Sequence, residues 1–410
     1  MGAFLLLWSS CSSDIGTTEV TYNKAIAIYA DIDEIRNTPL LENARTLINP
    51  GKVYVSDEIL LIGEEGEGIH VFDNSDPGAP DVISFLNIPG NKEFFVFQGK
   101  IYAESYYDML RIDISNVNQP LLTGRIQNYF DSRLPTDGGE VVIGFKYEIV
   151  TEEISDDSHD VWASIYNYNE VLFDLNRAVI PHSAVPASFA GSSNNAIGSV
   201  NRIAVKKNHV YAVNNEKISV MNDDQFTLIS SAPIANGMET IYPHKDHLFI
   251  GGANSVEILD ISNPSEPKFA GSFWHPTSCD PVYPTDDVAF VTLRTGDNDC
   301  PGDVNSLVSL DISDVSMTST IQEIEMESPF GLTLIDDKLY VGEGPHGLKI
   351  FDASDKRNIQ MIKYDTSLPA FDIIQHPMRN DIVLIAGPNG FGQYDVNDQN
   401  DFDLLSWISY

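Results

Sequence analysis

The chain has 410 residues, of which 42% are hydrophobic and 20% charged, and its formal net charge is −36. This composition is typical of a packed protein and excludes a largely disordered chain. The acidity, together with the lack of any Lys/Arg cluster, excludes nucleic acid as an expected partner. The length exceeds that of one ordinary core, which predicts several domains or one large repetitive architecture.

A short apolar run, residues 3–8, opens the chain and leads into Ser9, Ser10 and Cys11. The pattern resembles a bacterial lipoprotein signal peptide, in which a Cys after small residues is lipidated. The resemblance implies that residues 1–21 are a signal and tether and that Cys11 carries lipid. It also implies an exported outer-membrane lipoprotein, on the periplasmic or surface side, that contacts the membrane through its anchor only. The alternative is an ordinary buried N-terminal segment.

Residues 22–50 form the next segment, which we expect to latch the first repeat. Residues 25–29 have the apolar character of a strand, and residues 31–36 predict one helical turn. The remainder, residues 51–410, has a different organisation. One phrase recurs there, an alternating apolar run that closes on Asp or Asn and is often followed by Ser-Asn-Pro. It occurs at residues 68–73, 109–116, 218–222, 256–264, 307–313, 348–352 and 392–396.

These copies recur about every 40 residues, and short alternating strands at that period predict the blades of a β-propeller. The closing Asp is expected to accept backbone N–H groups in an Asx turn, a structural role rather than a catalytic one. The phrases resemble the LVIVD repeat family, particularly its exported lipoproteins, from about Gly51 to Trp407. Residues 278–281, 291–296 and 347–355 add to the resemblance. The resemblance implies a propeller and no particular activity.

The predicted fold is therefore all-β, with seven blades of four antiparallel strands, a to d. Residues 129–195 have no Lys/Asn-x-Leu-Tyr-Val run and carry an acidic stretch unlike a blade, so we interpret them as an insertion. The alternative is eight blades, with residues 172–176 as a third strand.

Two ends of such a ring differ. The d-to-a and b-to-c connections emerge at one end, here called the loop face, and the a-to-b and c-to-d turns emerge at the other, the turn face. The long irregular connections fall on the loop face, which predicts that it is the binding side. Cys279 and Cys300 belong to this face of one blade, and an oxidising compartment would let them form a disulfide. A reactive thiol is the alternative, although no Cys/His neighbourhood supports it.

The candidate ligand-binding residues are polar side chains of the loop face, from neighbouring blades. We expect Arg294 to clamp a carboxylate or sugar acid and His346 to donate a hydrogen bond. The alternative is that Arg294 and Asp280 pair to brace the disulfide loop. The full set is Arg294, Asp280, His346, Glu343, His275 and Asp372.

No motif assigns a catalytic residue, a metal or a cofactor. The histidines of residues 244–247 lack the Glu and helix of a zinc site, and residues 297–302 only begin like a Ca²⁺ loop, which leaves an irregular Ca²⁺ site open. The favoured function is a monomeric cell-envelope binding module for a glycan, a peptide or an envelope protein. The alternatives are a hydrolase or lyase acting on an acidic glycan at the same face, with His346 or Glu343 as acid or base, and a structural envelope component.

Overall fold

The structure is a computed structural model that describes residues 17–56, 58–130, 140–155, 171–174, 202–214, 217–235, 237–252, 254–275, 281–295, 304–396 and 401–410. The chain divides into two compact units. The first comprises residues 1–37 and 133–191, and the second comprises residues 38–132 and 192–410.

The first unit is built on a three-stranded sheet. Strand β1 (Thr17–Asp31) pairs antiparallel with β11 (Glu140–Ser155) and parallel with β12 (Val171–Asp174). Helix α1 (Ile32–Arg36) follows β1, and the Asp31 carboxylate caps it by accepting the backbone N–H groups of Asp33 and Glu34. The predicted helical turn at residues 31–36 is thereby confirmed. The predicted insertion supplies the two strands that pair with β1.

The second unit contains seven sheets, each with four antiparallel strands in chain order, which we number as blades 1 to 7. Blade 1 also carries a short outer strand, β2 (Leu41–Glu42), beside its fourth strand. The strands of the first four blades are β3 (Pro50–Val55), β4 (Ile59–Glu64), β5 (Gly68–Asp73) and β6 (Asp81–Asn87); β7 (Phe94–Phe97), β8 (Lys100–Ser105), β9 (Asp108–Asp113) and β10 (Leu121–Ile126); β13 (Ile203–Lys206), β14 (His209–Asn214), β15 (Lys217–Asn222) and β16 (Thr227–Pro233); β17 (Met238–His244), β18 (His247–Gly252), β19 (Ser255–Asp260) and β20 (Lys268–Trp274).

In the remaining three blades the strands follow one another in the chain with no strand of the first unit between them. They are β21 (Val282–Pro284), β22 (Val288–Leu293), β23 (Ser306–Asp311) and β24 (Ser319–Glu325), with a 3-10 turn at Val315–Met317; β25 (Leu332–Ile335), β26 (Lys338–Gly342), β27 (Leu348–Asp352) and β28 (Gln360–Asp365); β29 (Asp372–Gln375), β30 (Ile382–Gly387), β31 (Gly390–Val396) and β32 (Phe402–Ser409). First strands of successive blades contact one another and fourth strands are the most exposed, so strand a lies innermost and strand d outermost.

The all-β class and the four-stranded antiparallel blade are confirmed. The described residues form eight sheets, of which seven are blades and one is the three-stranded sheet of the first unit. Residues 171–174 do form a strand, as the eight-blade alternative required. That strand runs parallel to β1, however, so it is not the third strand of an antiparallel blade. The segment 22–50, expected to latch the first repeat, is shared between the two units. Its strand β1 pairs within the first unit, whereas β2 pairs with β6 of blade 1.

The recurring Asp at the end of strand c has the local role that its sequence predicts. In five blades the carboxylate accepts the backbone N–H of the Ser two residues later, at 2.6 to 3.0 Å. Such an Asx turn satisfies a donor as the chain reverses into strand d. The five residues are Asp73, Asp113, Asp260, Asp311 and Asp352.

Two repeat-equivalent glycines, Gly68 at the first residue of its strand c and Gly347 directly before its own, lie where the backbone of strand d approaches closely. Gly68 has φ +150° and Gly347 has φ +125°. A Cβ at either position would lie about 2 Å from a backbone carbonyl oxygen, 2.0 Å from that of Leu86 and 2.2 Å from that of Asp365. Only glycine fits this approach, which explains the Gly at the start of the phrase in blades 1 and 6.

The ring closes between blades 7 and 1 through side chains. Asn74 and Gln393, both buried, exchange amide hydrogen bonds of 2.7 and 3.2 Å, and the Gln393 amide also donates to the Pro77 carbonyl oxygen at 3.1 Å. The Ser406 hydroxyl donates to the same carbonyl at 2.6 Å. Apolar residues of both blades share one core cluster, which includes Leu60, Ile62, Phe72, Leu384, Ala386 and Phe391.

Candidate functional site

The loop face is where the sequence places the candidate ligand-binding residues. Asp280, Cys279, Cys300 and Cys11, the predicted lipidation site, lie outside the described residues, as does the Ca²⁺-like segment 297–302. The other five candidates are all at ends of strands or in connections of the loop face. They are His275, Arg294, Glu343, His346 and Asp372.

Arg294 follows the second strand of blade 5 and lies against an aromatic pair. Its guanidinium carbon lies 4.2 Å from the centre of the Phe330 ring, a cation–π contact. The Phe330 ring meets that of Phe371 edge to face, with centroids 5.0 Å apart. Phe330 and Phe371 precede the first strands of blades 6 and 7, and Asp372 comes directly after Phe371. The two rings therefore connect the positions of Arg294 and Asp372.

Glu343 is fully buried at the end of the second strand of blade 6. Its carboxylate forms an ion pair with Lys349 and accepts the backbone N–H groups of Glu327, at 3.2 Å, and Ser328, at 2.7 Å. The carboxylate thus ties the b-to-c connection to the segment that enters the same blade. Glu64 repeats the arrangement in blade 1, where it accepts two backbone N–H groups, of residues 48 and 49, and contacts His70.

His346 is exposed, and its Nδ1 lies 3.2 Å from a carboxylate oxygen of Glu327. The Tyr364 hydroxyl donates to the other oxygen of Glu327 at 3.0 Å. Burial and the Glu327 carboxylate raise the pKa of Tyr364 to about 12, so the hydroxyl stays protonated at neutral pH. His275, at the end of blade 4, is buried, and its backbone N–H donates to the Asn254 carbonyl at 3.2 Å.

Of five ionisable side chains that lie at the inner strands of the loop face, the sequence predicts only Asp372 as a site residue. Lys52 Nζ lies 3.0 Å from Glu93 Oε1, and both side chains are buried. Asp372 attracts Lys52 from blade 7, and Arg202 attracts both Glu93 and Glu104. We call this set the inner-strand charge cluster: Lys52, Glu93, Glu104, Arg202 and Asp372, from blades 7, 1, 2 and 3.

Burial dominates the electrostatics of this cluster. It lowers the pKa of Lys52 and raises the pKa of Glu93, in both cases against their mutual attraction. Burial also raises the pKa of Glu104 to about 7, with Arg202 opposing the shift and Glu93 adding to it. Ionisable groups whose protonation is shifted in this way concentrate at functional sites, although structural ion pairs produce similar shifts.

One signal in the sequence marks most of these residues. Lys52, Glu93, Arg202 and Asp372 each stand within three residues of the start of a strand a, where an apolar residue would be the ordinary choice. The positions lie in four blades, so only the ring brings them together.

Glu104 predicts a pH dependence of stability. Because its pKa is about 7 in the folded protein and 4.5 ordinarily, the folded state binds more protons between those values. Its contribution to the free energy of unfolding therefore falls as pH rises from about 4.5 to about 7. We expect Glu104→Gln to flatten the decline by about 1 kcal/mol or more in urea unfolding at pH 5 and pH 7.5. The exposed Glu58→Gln is the control, and equal slopes for the two variants would contradict the assignment.

Within the described ranges, no group of three or more His, Cys, Asp or Glu side chains could hold a metal ion. A search of the same ranges finds no helix of the length and apolar character needed to cross a membrane.

Comparison with solved structures shows which class of fold this is. The computationally designed Ika8 protein covers 90% of the chain and 89% of its own length, with TM-score 0.51 and 10% identity. A functionally unknown protein from Desulfotomaculum acetoxidans covers 88% and 95%, with TM-score 0.51 and 9% identity. The Pan2 WD40 domain of Neurospora crassa covers 83% and 86%, with TM-score 0.50 and 9% identity.

The chain contains a β-propeller, an architecture that in general supports a binding or interaction module. The LVIVD repeat model matches residues 245–274, which span the last three strands of blade 4. The chain thus carries an LVIVD repeat, and the predicted resemblance is confirmed there. No curated protein sequence matches the chain.

Proposed function

We propose that this protein is a binding module whose loop face holds a ligand carrying a carboxylate, from an acidic glycan or a peptide. The inner-strand charge cluster is the observation that marks the loop face as a site, and Arg294 is the group suited to a carboxylate. Buried ion pairs contribute little to stability compared with apolar packing, so a set of five ionisable side chains of which Lys52, Glu93 and Asp372 are buried is costly as a purely structural device. Unlike the Asx turns, the cluster does not recur from blade to blade, as expected of a site rather than of a folding element.

Arg294 and the aromatic pair extend this surface from the cluster toward blade 5. Stacking on Phe330 fixes the plane of the guanidinium, which is the group best suited to bind a carboxylate through two parallel hydrogen bonds. Asp372 follows Phe371 in the chain and attracts Lys52 electrostatically, so it joins the aromatic pair to the cluster. Glu343 fixes the segment that leads to Phe330, because its oxygens accept the backbone N–H groups of Glu327 and Ser328 and pair with Lys349.

The location of the protein is also part of the proposal. A lipid on Cys11 would hold the propeller at the outer membrane, with the ligand presented by another envelope component or from outside. The basis is the lipoprotein-like pattern of residues 3–11. A disulfide between Cys279 and Cys300 stays a prediction for the same exported protein.

The binding test compares two arginines at opposite ends of the ring. Uronic-acid oligosaccharides and acidic peptides are screened against the wild type, and each ligand that binds is compared with its methyl ester by titration calorimetry. We expect esterification to weaken binding, and Arg294→Ala to weaken it at least tenfold, about 1.4 kcal/mol. Arg357→Ala, at the c-to-d turn of blade 6 where Arg357 pairs with Asp311, should leave binding unchanged. Equal binding by both variants would exclude Arg294 from the site.

A further inference from the structure

We propose that the turn face carries a second binding site, for an uncharged saccharide, in a cavity formed by blades 4, 5 and 6. This inference does not rest on the loop-face proposal, since it concerns the opposite end of the ring. The cavity has a volume of about 460 Å³, within the range of about 300 to 1,000 Å³ usual for small-ligand sites. Its walls come from first strands and turns, including Tyr242, His244, Tyr283, Asp286, Leu334 and Lys356.

Two tyrosines give the cavity its apolar floor. Tyr242 and Tyr283 stand in the first strands of blades 4 and 5, with ring centroids 5.4 Å apart and an angle of 50° between the ring planes. Both rings are partly exposed, and the Tyr283 hydroxyl donates to the Leu334 carbonyl at 3.3 Å. Rings held in this way form a rigid surface with a polar edge, which suits the apolar face of a sugar ring.

Polar groups at the rim supply hydrogen bonds without a net charge. Asp286 is exposed and lies 2.8 Å from Lys245 Nζ and 3.2 Å from His244 Nε2. Desolvation holds the pKa of His244 below its ordinary value, against the attraction of Asp286, so the imidazole is neutral at pH 7. The lining residues include two carboxylates, Asp286 and Asp287, and one lysine, Lys356, and Lys245 adds a second positive charge through its contact with Asp286.

This balance selects the ligand class. A chain of net charge −36 would be expected to offer a cation an acidic pocket, yet the two carboxylates of this cavity are offset in formal charge by Lys245 and Lys356. A charged ligand would leave the site with an uncompensated charge, whereas hydroxyl groups can donate to the carboxylates and accept from the lysines and the imidazole. The aromatic floor and the polar rim without net charge together favour a neutral saccharide over an amine or an acid.

The repeat provides a matched control for the test. Tyr54 occupies in the first strand of blade 1 the position that Tyr242 and Tyr283 occupy in blades 4 and 5. In each blade one residue, a Val in blade 1 and a Pro in the other two, directly follows the tyrosine and precedes the a-to-b turn. It is also partly exposed but does not line the cavity. Comparing Tyr283→Ala with Tyr54→Ala therefore separates loss of the site from loss of a half-buried ring.

The full chain is screened against an array of neutral oligosaccharides that includes maltose, cellobiose and N,N′-diacetylchitobiose, with glucuronic acid and glucosamine as charged comparisons. We expect a neutral saccharide to bind, and Tyr283→Ala to weaken its Kd at least tenfold while Tyr54→Ala leaves it within twofold. Asp286→Asn, which changes an exposed side chain and cannot disturb the core, should weaken Kd about threefold or more. The proposal is overturned if no neutral saccharide binds, if only a charged sugar binds, or if Asp286→Asn and Tyr283→Ala both bind as the wild type does. Arg294→Ala should not affect this binding, so failure here leaves the loop-face proposal untouched.

Discussion

Replacing Glu343 by Ala should lower the free energy of unfolding by about 3 to 5 kcal/mol, because the change leaves buried partners uncompensated. Lys349 would keep a charge in a buried position, and the backbone N–H groups of Glu327 and Ser328 would lose their acceptor. Guanidinium unfolding followed by tryptophan fluorescence measures the loss. Glu327→Ala, which removes an exposed acid from the same blade, should cost about 1 kcal/mol or less.

The repeat-equivalent Glu64 sharpens this test. Its side-chain partner is His70, and burial keeps the pKa of His70 below its ordinary value despite the hydrogen bond to Glu64. At neutral pH the His70 ring can remain uncharged, so Glu64→Ala leaves no buried cation behind. We therefore expect Glu64→Ala to cost less than Glu343→Ala. The double variant Glu343→Gln with Lys349→Met should recover part of the loss, and a Glu343→Ala cost below about 1 kcal/mol would refute the account.

Opening the ring at its closing contact should also have a large effect. We expect Gln393→Leu to destabilise the protein by about 2 to 4 kcal/mol. The change leaves the buried Asn74 amide without its hydrogen-bond partner and removes the donor to the Pro77 carbonyl. A double-mutant cycle with Asn74→Ala should give a coupling energy of about 1 to 3 kcal/mol. Gln322→Ala is the control. Gln322 also joins two neighbouring blades, 5 and 6, through hydrogen bonds to the Ile359 backbone, but it does not lie at the ring closure. Additive effects of the two closing residues would show that they do not act as a unit.

How far the sequence predicts the fold depends on the distance between the interacting residues. The Asx turn of Asp352 and the glycine at 347 could be predicted because each depends on residues a few positions away. The sheet of the first unit could not, since β1 and β11 are far apart and neither carries the repeat. The sequence alone therefore predicts residues 22–50 and 129–195 as separate features.

The candidate site shows the same division. Glu343 could be placed on the loop face from the Gly-rich sequence of residues 342–347, but its burial and its two backbone partners follow only from how the entering segment folds over it. Lys52 and Glu93 belong to different blades, so the sequence of either repeat does not predict that the two side chains form an ion pair. Ring geometry decides which charges meet, and a single repeat contains no information about its neighbour.

The pairing of β1 with β11 also constrains the order in which a nascent chain can fold. The nearest paired residues, Asp31 and Glu140, are about 110 positions apart, and blades 1 and 2 lie between them. Both blades can be complete before β11 has been synthesised, so β1 must wait as an unpaired strand while its neighbours are already folded. A waiting strand of this kind is open to pairing with another chain. We therefore expect the interval before residue 155 is made to be the stage of biosynthesis at which this protein most needs a chaperone.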